Sequence, residues 1–288
     1  MSFAQYKKNR ANSVDALAKA AEESVSGKKN FDDSRYWKPT VDKDGNASAV
    51  IRFLPSKNPD ENPWVTIFKH GFKGPTGQWY FELSRTTIGE DDPVGDLNTK
   101  AWAAGDKQAA RDRKRKLVYV SNIYVVKDPG NPENEGKVFL YEYGKKIFEK
   151  LKDAMTPEFE DETPIIPFDM FEGADFKFRQ RKVEGWPNYD KCELAAQAPL
   201  SEDEAELERI FESMYDLQEL VDPKNFKSYE ELQIKLNRVL CITSNEPQAA
   251  EPRDSSFNED SDDAGSEDDS DDSDDDSLKY FQNMVDDD

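Results

Sequence analysis

Residues 107–116 contain six basic side chains in ten positions, although the whole chain of 288 residues carries 61 acidic against 39 basic side chains. We call this stretch the basic segment, and its cations are Lys107, Arg111, Arg113, Lys114, Arg115 and Lys116. Lys and Arg form charge-assisted contacts with phosphate oxygens, and each such contact releases a counterion from a nucleic acid. In a chain with a formal charge of −22, the basic segment is therefore a candidate site for a polyanion.

Aromatic side chains follow the basic segment, beginning with the stretch LVYVSNIYVV at residues 117–126. Proteins that bind single-stranded nucleic acid combine cations along the backbone with rings that stack on unpaired bases. The candidate rings and further cations are Tyr119, Tyr124, Tyr141, Tyr143, Lys145, Lys146, Arg179, Arg181, Lys182, Trp186 and Tyr189. Each tyrosine has a second interpretation, because a half-buried strand turns alternate side chains into the core. For the basic segment the alternative is a solvated surface.

Catalytic chemistry has little support in the sequence. His70 is the single histidine, so a Ser/His/Asp or Cys/His set would have to use it, and nothing near it indicates a nucleophile. Neither GxxxxGK[ST] nor GxGxxG occurs. We predict that the protein is not an enzyme.

The cysteine content and the lack of long apolar runs indicate a reducing, cytoplasmic compartment. Cys192 and Cys241 do not form a disulfide framework in a chain of this length, which favours a reducing, cytoplasmic environment and two buried thiols. The first ten residues lack the apolar run of a signal peptide. No stretch approaches the roughly 20 apolar residues of a membrane span, so we expect no membrane partner.

Charge is distributed very unevenly along the chain. Residues 246–288 hold 18 acidic and two basic side chains, a charge of about −16, which leaves about −6 for residues 1–245. Such a composition buries too little apolar surface to offset the entropy of ordering, so we expect a disordered acidic tail. Within it, SLKYFQNMV at 277–285 is an apolar patch that predicts a short element recognised by a partner.

Short apolar segments separated by turn signals occupy residues 36–189. Runs rich in β-branched and aromatic residues predict strands at 49–55, 64–68, 78–83, 117–126, 137–143 and 175–183. A helix is predicted at 145–155. Several short strands with one inserted helix are typical of a small barrel.

Helical spacing returns after residue 200. Ser201 and Glu204 predict a capping box for a helix whose apolar positions continue to Leu220, and a second helix is predicted at 228–240. We interpret the pair as a helical flap over the barrel. Near the start of the chain, Ser13 predicts the cap of a short helix that ends at about Val25.

Several stretches carry a resemblance to a known family. AVIRFLPSKN (49–58), HGFK (70–73), PENEGKVF (132–139), GKKI (144–147) and FKSYEEL (226–232) resemble the single-stranded DNA-binding, helix-destabilising proteins of T-even-type phages. The similarity runs in order from about residue 40 to 240. It implies an α+β, mainly β architecture, with a basic cooperativity arm at 1–25, an OB-fold core with C-terminal helices at 26–245 and the tail at 246–288.

The resemblance also implies roles for individual residues. Together with the pattern above, it gives the candidate DNA contacts Trp102, Arg111, Arg113, Lys114, Arg115, Lys116, Tyr119, Tyr141, Lys145, Lys146, Trp186 and Tyr189. The candidate contacts to a neighbouring subunit along the DNA are Lys7, Lys8, Arg10 and Ser13.

The family has a structural zinc ion held by one histidine and three cysteines, and this chain departs from that pattern. His70 aligns with the histidine, whereas the cysteine positions fall on about Ser84, Asp92 and Gly95. Ser and Gly are not zinc ligands, and a lone histidine cannot complete a tetrahedral site. We therefore expect no zinc and no other cofactor, and we expect this loop to be held by packing of Trp79, Phe81 and Leu97.

The expected function is cooperative, sequence-nonspecific coating of single-stranded DNA during phage replication, recombination and repair. The acidic tail would compete for the DNA groove and recruit replication and recombination proteins. Two alternatives remain: a translational repressor that binds single-stranded RNA, and an acidic scaffold that binds basic proteins.

Overall fold

The computed structural model describes residues 33–159 and 163–242. The expectations that lie outside the described residues are the arm with Lys7, Lys8, Arg10 and Ser13, the helix ending near Val25, and the acidic tail. Contacts divide the chain into two units, 1–36 and 37–288. In the described part of the first unit, Arg35 forms an ion pair with Asp33 at 2.6 Å. Every element below belongs to the second unit.

Eight antiparallel strands form the sheet of the described second unit. They are β1 (Ala47–Phe53), β2 (Val65–Lys73), β3 (Trp79–Leu83), β4 (Lys116–Lys127), β5 (Val138–Tyr143), β6 (Ala174–Val183), β7 (Trp186–Asn188) and β8 (Glu193–Gln197). Their order is β3-β2-β4-β1-β6-β7, with β5 paired to β4 and β8 paired to β6. The first half of β4 pairs with β2 and its second half with β1. The basic segment, which ends at the first residue of β4, therefore lies beside β2.

Five α-helices accompany the described strands. They are α1 (Pro93–Ala103), α2 (Lys107–Asp112), α3 (Lys145–Met155), α4 (Glu204–Glu212) and α5 (Tyr229–Leu240). The predicted strands correspond to β1–β6, and α3 has the predicted bounds. The sequence did not predict α1 or α2, and residues 107–112 of the basic segment are therefore helical where no helix was expected.

Both C-terminal helices begin at a side-chain cap, but a cap was predicted for only one of them, and that prediction is wrong. Ser228 and Glu231 form a reciprocal capping box at the start of α5. The predicted box of Ser201 with Glu204 is wrong, because Asp203 caps α4 and the Ser201 hydroxyl donates to the Glu206 carboxylate at 2.7 Å. The helix also ends at Glu212, well before Leu220, because the chain turns there and continues as a short 3₁₀-helix at Gln218–Val221.

Aromatic rings dominate the core between the sheet and α3. Phe53 lies at its centre, with ring centroids 5.4–6.3 Å from those of Tyr141, Tyr143, Phe168 and Phe176. Edge-to-face contacts of this kind contribute beyond the burial of apolar area. Residues Ile147 and Leu151 of α3 are buried in the same cluster.

The two C-terminal helices pack in different places. Leu207 and Ile210 of α4 join a cluster with Leu54 and Met170. Leu236 and Val239 of α5 instead join Phe72, Tyr80 and Val94. The mixed class with an antiparallel sheet and several helices is confirmed, whereas the OB-fold assignment stays a prediction. The expectation of two buried thiols holds for Cys192 but is wrong for Cys241, which is exposed at the end of α5.

A buried cation joins β1 to β6 and to the chain on either side of it. Arg52 is 1% exposed, and its Nε donates to Asp175 Oδ1 at 2.9 Å. Its two terminal nitrogens donate to the carbonyl oxygens of Asp169 and Ala198, at 3.2 and 3.0 Å. Removing one partner of such a group leaves the others desolvated and unpaired.

We expect Arg52→Ala to lower the free energy of unfolding by about 3–5 kcal/mol. Lys177→Ala is the matched control, because Lys177 pairs with Glu193 at the surface of the neighbouring strand, where the loss is about 0–1 kcal/mol. Urea denaturation followed by circular dichroism measures both. Equal, small losses would contradict the structural role of Arg52.

Candidate nucleic-acid interface

The basic segment changes structure half-way along. Lys107 and Arg111 lie on α2, residues 113–115 form the connection, and Lys116 begins β4. Asp106 caps α2 by accepting from the Ala109 amide at 3.2 Å. The side chains of Lys107, Arg111, Lys114 and Arg115 are exposed, and those of Arg113 and Lys116 are half-buried. The segment thus presents most of its charge to solvent.

Asn98 of α1 holds Arg113 in place. The Arg113 Nε donates to Asn98 Oδ1 at 3.0 Å, and Asn98 Nδ2 donates back to the Arg113 carbonyl oxygen at 3.2 Å. Burial lowers the pKa of Arg113, while the nearby Asp106 and Asp112 act in the opposite direction. A guanidinium stays charged under these conditions, so α1 fixes the position of this cation without neutralising it.

An aromatic ring holds the next arginine. The Arg115 guanidinium carbon lies 4.0 Å from the centroid of the Phe68 ring on β2, within the range of a cation–π contact. Lys69 follows Phe68 and lies opposite Lys116 in the strand register. Lys69 differs from the arginines because it forms an ion pair with Glu142 of β5.

Trp102 is an exposed ring next to the basic segment. It lies near the end of α1, is 52% exposed, and its ring centroid is 5.3 Å from Lys107 Nζ. Large exposed rings of this kind have a face available for a base or another flat group. Among the predicted site residues, Trp102 is thus the ring that combines high exposure with a cation of the basic segment.

Tyr119 and Tyr141, in contrast, belong to a stack of four rings that we call the tyrosine stack. Tyr119 lies parallel to Phe148 of α3, with centroids 3.9 Å apart, and faces Tyr143, its register partner, at 5.8 Å. Tyr143 and Tyr141 follow at 5.4 Å. Burial raises the pKa of all three tyrosines. Both predicted residues therefore pack in the core in this structure, the alternative that the sequence left open.

Lys145 and Lys146 begin α3 beside the tyrosine stack. Both are exposed, and Lys145 Nζ lies 3.5 Å from Glu149 one turn further along the helix. Lys145 and Glu149 shift the pKa of Tyr119 in opposite directions, which places this end of α3 near the Tyr119 hydroxyl. The two lysines thus mark the outer edge of the stack.

The hairpin of β6 and β7 carries the remaining predicted rings. Trp186 pairs with Val183 across a turn in which Glu184 and Gly185 both have positive φ, the requirement of a tight two-residue hairpin. Tyr189 follows β7, with its centroid 5.9 Å from that of Phe178. Trp186 and Tyr189 are half-buried, whereas Arg179, Arg181 and Lys182 are exposed.

The predicted residues therefore form two groups. The first joins the basic segment to Trp102, Asn98 and Phe68, and the second joins the tyrosine stack, the start of α3 and the β6–β7 hairpin. The ion pair of Lys69 with Glu142 spans β2 and β5 between them. Sequence reasoning missed Asn98, Phe68 and Phe148 because their roles arise from contacts with distant parts of the chain.

Comparison with known proteins gives the family. Residues 45–240 match the family described as gp32 DNA binding protein like. The single-stranded DNA-binding protein of Enterobacteria phage T4 is 40% identical over 225 residues, which cover 75% of this chain and 74% of the relative. The corresponding protein of Enterobacteria phage T2 is 41% identical over 216 residues, 73% of this chain and 71% of the relative. The chain belongs to the gp32-like family of DNA-binding proteins. The resemblance seen in the sequence is thereby confirmed.

The family's zinc ion does not fit the residues of this gp32-like chain. His70 Nε2 lies 3.1 Å from Asp92 Oδ1, but both Asp92 oxygens already accept hydrogen bonds from the backbone, and one also accepts from Ser84. Ser84 and Gly95 offer no zinc-binding atom. No group of three or more His, Cys, Asp or Glu side chains that could hold a metal occurs in the described parts of the chain.

The packing expected to replace the zinc is only partly as predicted. Trp79 and Phe81 stack on each other with centroids 4.9 Å apart, and both are half-buried. Leu97 packs against the cluster of Phe72, Tyr80 and Val94. Sequence reasoning did not foresee the contacts among His70, Ser84 and Asp92.

Within residues 33–159 and 163–242, no helix has the length and apolar character needed to cross a membrane.

We expect Tyr119→Ala and Trp102→Ala to affect stability very differently. Tyr119 is 9% exposed and sandwiched between two rings, so its truncation lowers the free energy of unfolding by about 3–5 kcal/mol. Trp102 is mostly solvated, so its truncation changes stability by about 0.5 kcal/mol or less. Thermal and urea unfolding measure both, and a stable Tyr119→Ala protein would contradict the stack.

Proposed function

We propose that the protein binds single-stranded DNA without sequence preference, and that it does so stoichiometrically rather than as an enzyme. The observation that carries the proposal is the exposed ring of Trp102 beside a basic segment in which Arg113 and Arg115 are held by neutral partners. Relatives that are named single-stranded DNA-binding proteins support it. An OB-type barrel would supply the groove that joins the two residue groups.

The two kinds of side chain have separate tasks in this mechanism. Cations of the basic segment, with Lys145 and Lys146, neutralise phosphates and release counterions. Trp102 and the half-buried rings of Trp186 and Tyr189 take unstacked bases. Tyr119 and Tyr141 act beneath this surface by fixing the spacing of β4, β5 and α3, and they contact bases only if the tyrosine stack opens.

Binding of this kind destabilises duplex DNA by mass action. A ligand that binds the melted strand but not the duplex lowers the free energy of the melted state. Contacts through Lys7, Lys8, Arg10 and Ser13 with a neighbouring subunit make the binding cooperative along the strand. The protein then coats unwound DNA during phage replication, recombination and repair in the host cytoplasm.

The acidic tail regulates access to the DNA surface. Its charge of about −16 is attracted to the same cations that hold phosphates. In the free protein the tail competes for the basic segment, and DNA displaces it. The released tail, including residues 277–285, then recruits replication and recombination proteins.

The double variant Arg111→Ala/Lys114→Ala tests the phosphate contacts. Each lost contact lowers the slope of log affinity against log salt by about 0.7 for single strands, so the double variant should lose about 1.4. Titration with oligo-dT at several salt concentrations, followed by tryptophan fluorescence, measures the slope. The matched control is Arg209→Ala, which removes an exposed cation on α4 and should leave the slope unchanged.

Unchanged slopes in both variants would exclude the basic segment as the phosphate site.

Trp102→Ala in the same titration should remove part of the fluorescence change and weaken binding by about 1–3 kcal/mol, the contribution of one stacked base. Full retention of affinity would exclude Trp102 as a stacking residue.

Deleting residues 246–288 tests the competition by the tail. Because the deletion removes a competing polyanion, affinity for oligo-dT should rise most at low salt and the difference should shrink as screening increases. The same affinity at low salt for the full and shortened chains would contradict the competition. Loss of all binding on deletion would instead favour the acidic scaffold, and preference for an RNA oligomer of equal length would favour the RNA-binding alternative.

A further inference from the structure

Three buried polar side chains meet where β2, β3 and α1 come together. His70 lies on β2, Ser84 directly follows β3, and Asp92 precedes α1. All three are at most 3% exposed. We call them the His–Ser–Asp cluster. It occupies the positions at which the family resemblance places metal ligands, although its side chains do not form a metal-binding set.

The Asp92 carboxylate is the centre of the cluster. Its Oδ2 accepts from the Ser84 hydroxyl at 3.0 Å and from the Arg85 amide at 3.1 Å. Its Oδ1 accepts from the amides of Val94 and Gly95, at 3.0 and 3.3 Å, which caps α1. One side chain thus ties the end of β3 to the start of a helix through four hydrogen bonds.

His70 adds β2 to the same carboxylate. Its Nε2 lies 3.1 Å from Asp92 Oδ1 but is not aligned for a hydrogen bond, and neither ring nitrogen has a hydrogen-bond partner in the described structure. The pKa of Asp92 is lowered to about 2: burial alone would raise it, but it is outweighed by His70, by the Ser84 hydroxyl and by the Arg85 amide. The carboxylate is therefore ionised, and both of its oxygens accept hydrogen bonds from inside the protein.

Further contacts spread outward from the cluster. The Ser84 amide donates to the Phe68 carbonyl oxygen at 2.8 Å, next to the ring that supports Arg115. On the other side, α1 carries Asn98, which holds Arg113. Both neutral supports of the basic segment are thus attached to elements that the cluster joins.

We propose that the His–Ser–Asp cluster does in this chain the work of a structural metal ion: it holds β2, the end of β3 and the start of α1 together, so that the protein folds and positions the basic segment without bound metal. The stability part of this proposal is independent of the proposed function, and only the effect on the basic segment rests on it. The Asp92 carboxylate takes the place of the metal ion, and its four hydrogen bonds and the adjacent imidazole take the place of the coordinate bonds. This is possible because its partners come from the segments that must be joined: β2, the end of β3 and the start of α1.

Metal content and melting of the full chain test the proposal directly. The protein purified in the presence of zinc should contain far less than one zinc per chain, and a strong chelator should leave its melting temperature and its affinity for oligo-dT unchanged. Stoichiometric zinc, or a lower melting temperature with chelator, would overturn the proposal. An unchanged melting temperature in a protein that does not bind DNA would overturn the proposed function alone.

Variants at Asp92 separate the cluster from ordinary surface charge. Asp92→Ala should lower the melting temperature by about 5–10 °C, and Asp92→Asn should recover part of the loss because an amide oxygen still caps a helix. The matched control is Asp91→Ala, since Asp91 is adjacent but exposed, and its melting temperature should not change. Equal effects of Asp91→Ala and Asp92→Ala would contradict the cluster.

A variant designed to gain metal binding tests whether the positions of the cluster are spaced like the ligands of a metal site. The triple variant Ser84→Cys/Asp92→Cys/Gly95→Cys leaves His70 as a fourth ligand, a Cys₃His set suited to zinc. A Cβ at Gly95 has room, since the nearest atom outside its chain neighbours and the backbone of its own helix is Asp92 Cβ, 3.9 Å away. The variant should bind one zinc and should melt at a lower temperature with chelator. A folded triple variant that binds no zinc would contradict the proposal that the cluster takes the place of a metal site.

Discussion

The candidate interface depends on holding cations in place without cancelling their charge. Carboxylates would fix Arg113 and Arg115 firmly, but an ion pair inside the protein would have to be broken before either residue could bind a phosphate. Here an amide oxygen holds Arg113 and a phenyl ring holds Arg115. Both partners are neutral, so the guanidinium groups are pre-positioned and still carry their full charge. In a chain with a formal charge of −22, this choice of partners preserves a positive surface.

The aromatic residues are divided between the core and the surface. Rings needed for the core pack face to face, as Tyr119 does between Phe148 and Tyr143, and they give β4, β5 and α3 a fixed spacing. Rings that we propose as base contacts lie at the ends of elements, as Trp102 does near the end of α1 and Trp186 does at a hairpin. We therefore propose that the tyrosine stack is the rigid support, and that Trp102 and Trp186 together with the basic segment form the contact surface.

The sequence predicted those features that depend on local patterns. Alternating and β-branched runs located β1–β6, and α3 was found because its apolar residues follow the helical period. The helix α2 was missed because KQAARD has no apolar stripe, and α1 was missed although Asp92 before Pro93 is a helix-start signal. Ser201 and Asp203 are both good capping residues, and only the backbone conformation decides between them.

The candidate site was predictable in composition but not in arrangement. The cations of the basic segment are evident in the sequence, whereas Asn98 and Phe68 support them across gaps that no local pattern links. Likewise, the loss of zinc ligands could be seen from residue types, but the buried contacts of His70 with Asp92 required the pairing of β2 with β3 and the cap of α1. Contacts between distant segments thus account for most of what the sequence did not disclose.

Replacing Asn98 by Asp and by Ala, with oligo-dT affinity measured at low salt for both, tests the central claim most directly. Asn98→Ala removes the support of Arg113, whereas Asn98→Asp adds a carboxylate that pairs with it; circular dichroism establishes that both are folded. If neutral support matters, the Asp variant binds more weakly than the Ala variant, with a salt slope lower by about 0.7. Affinity of the Asp variant equal to that of the unaltered protein would contradict the account.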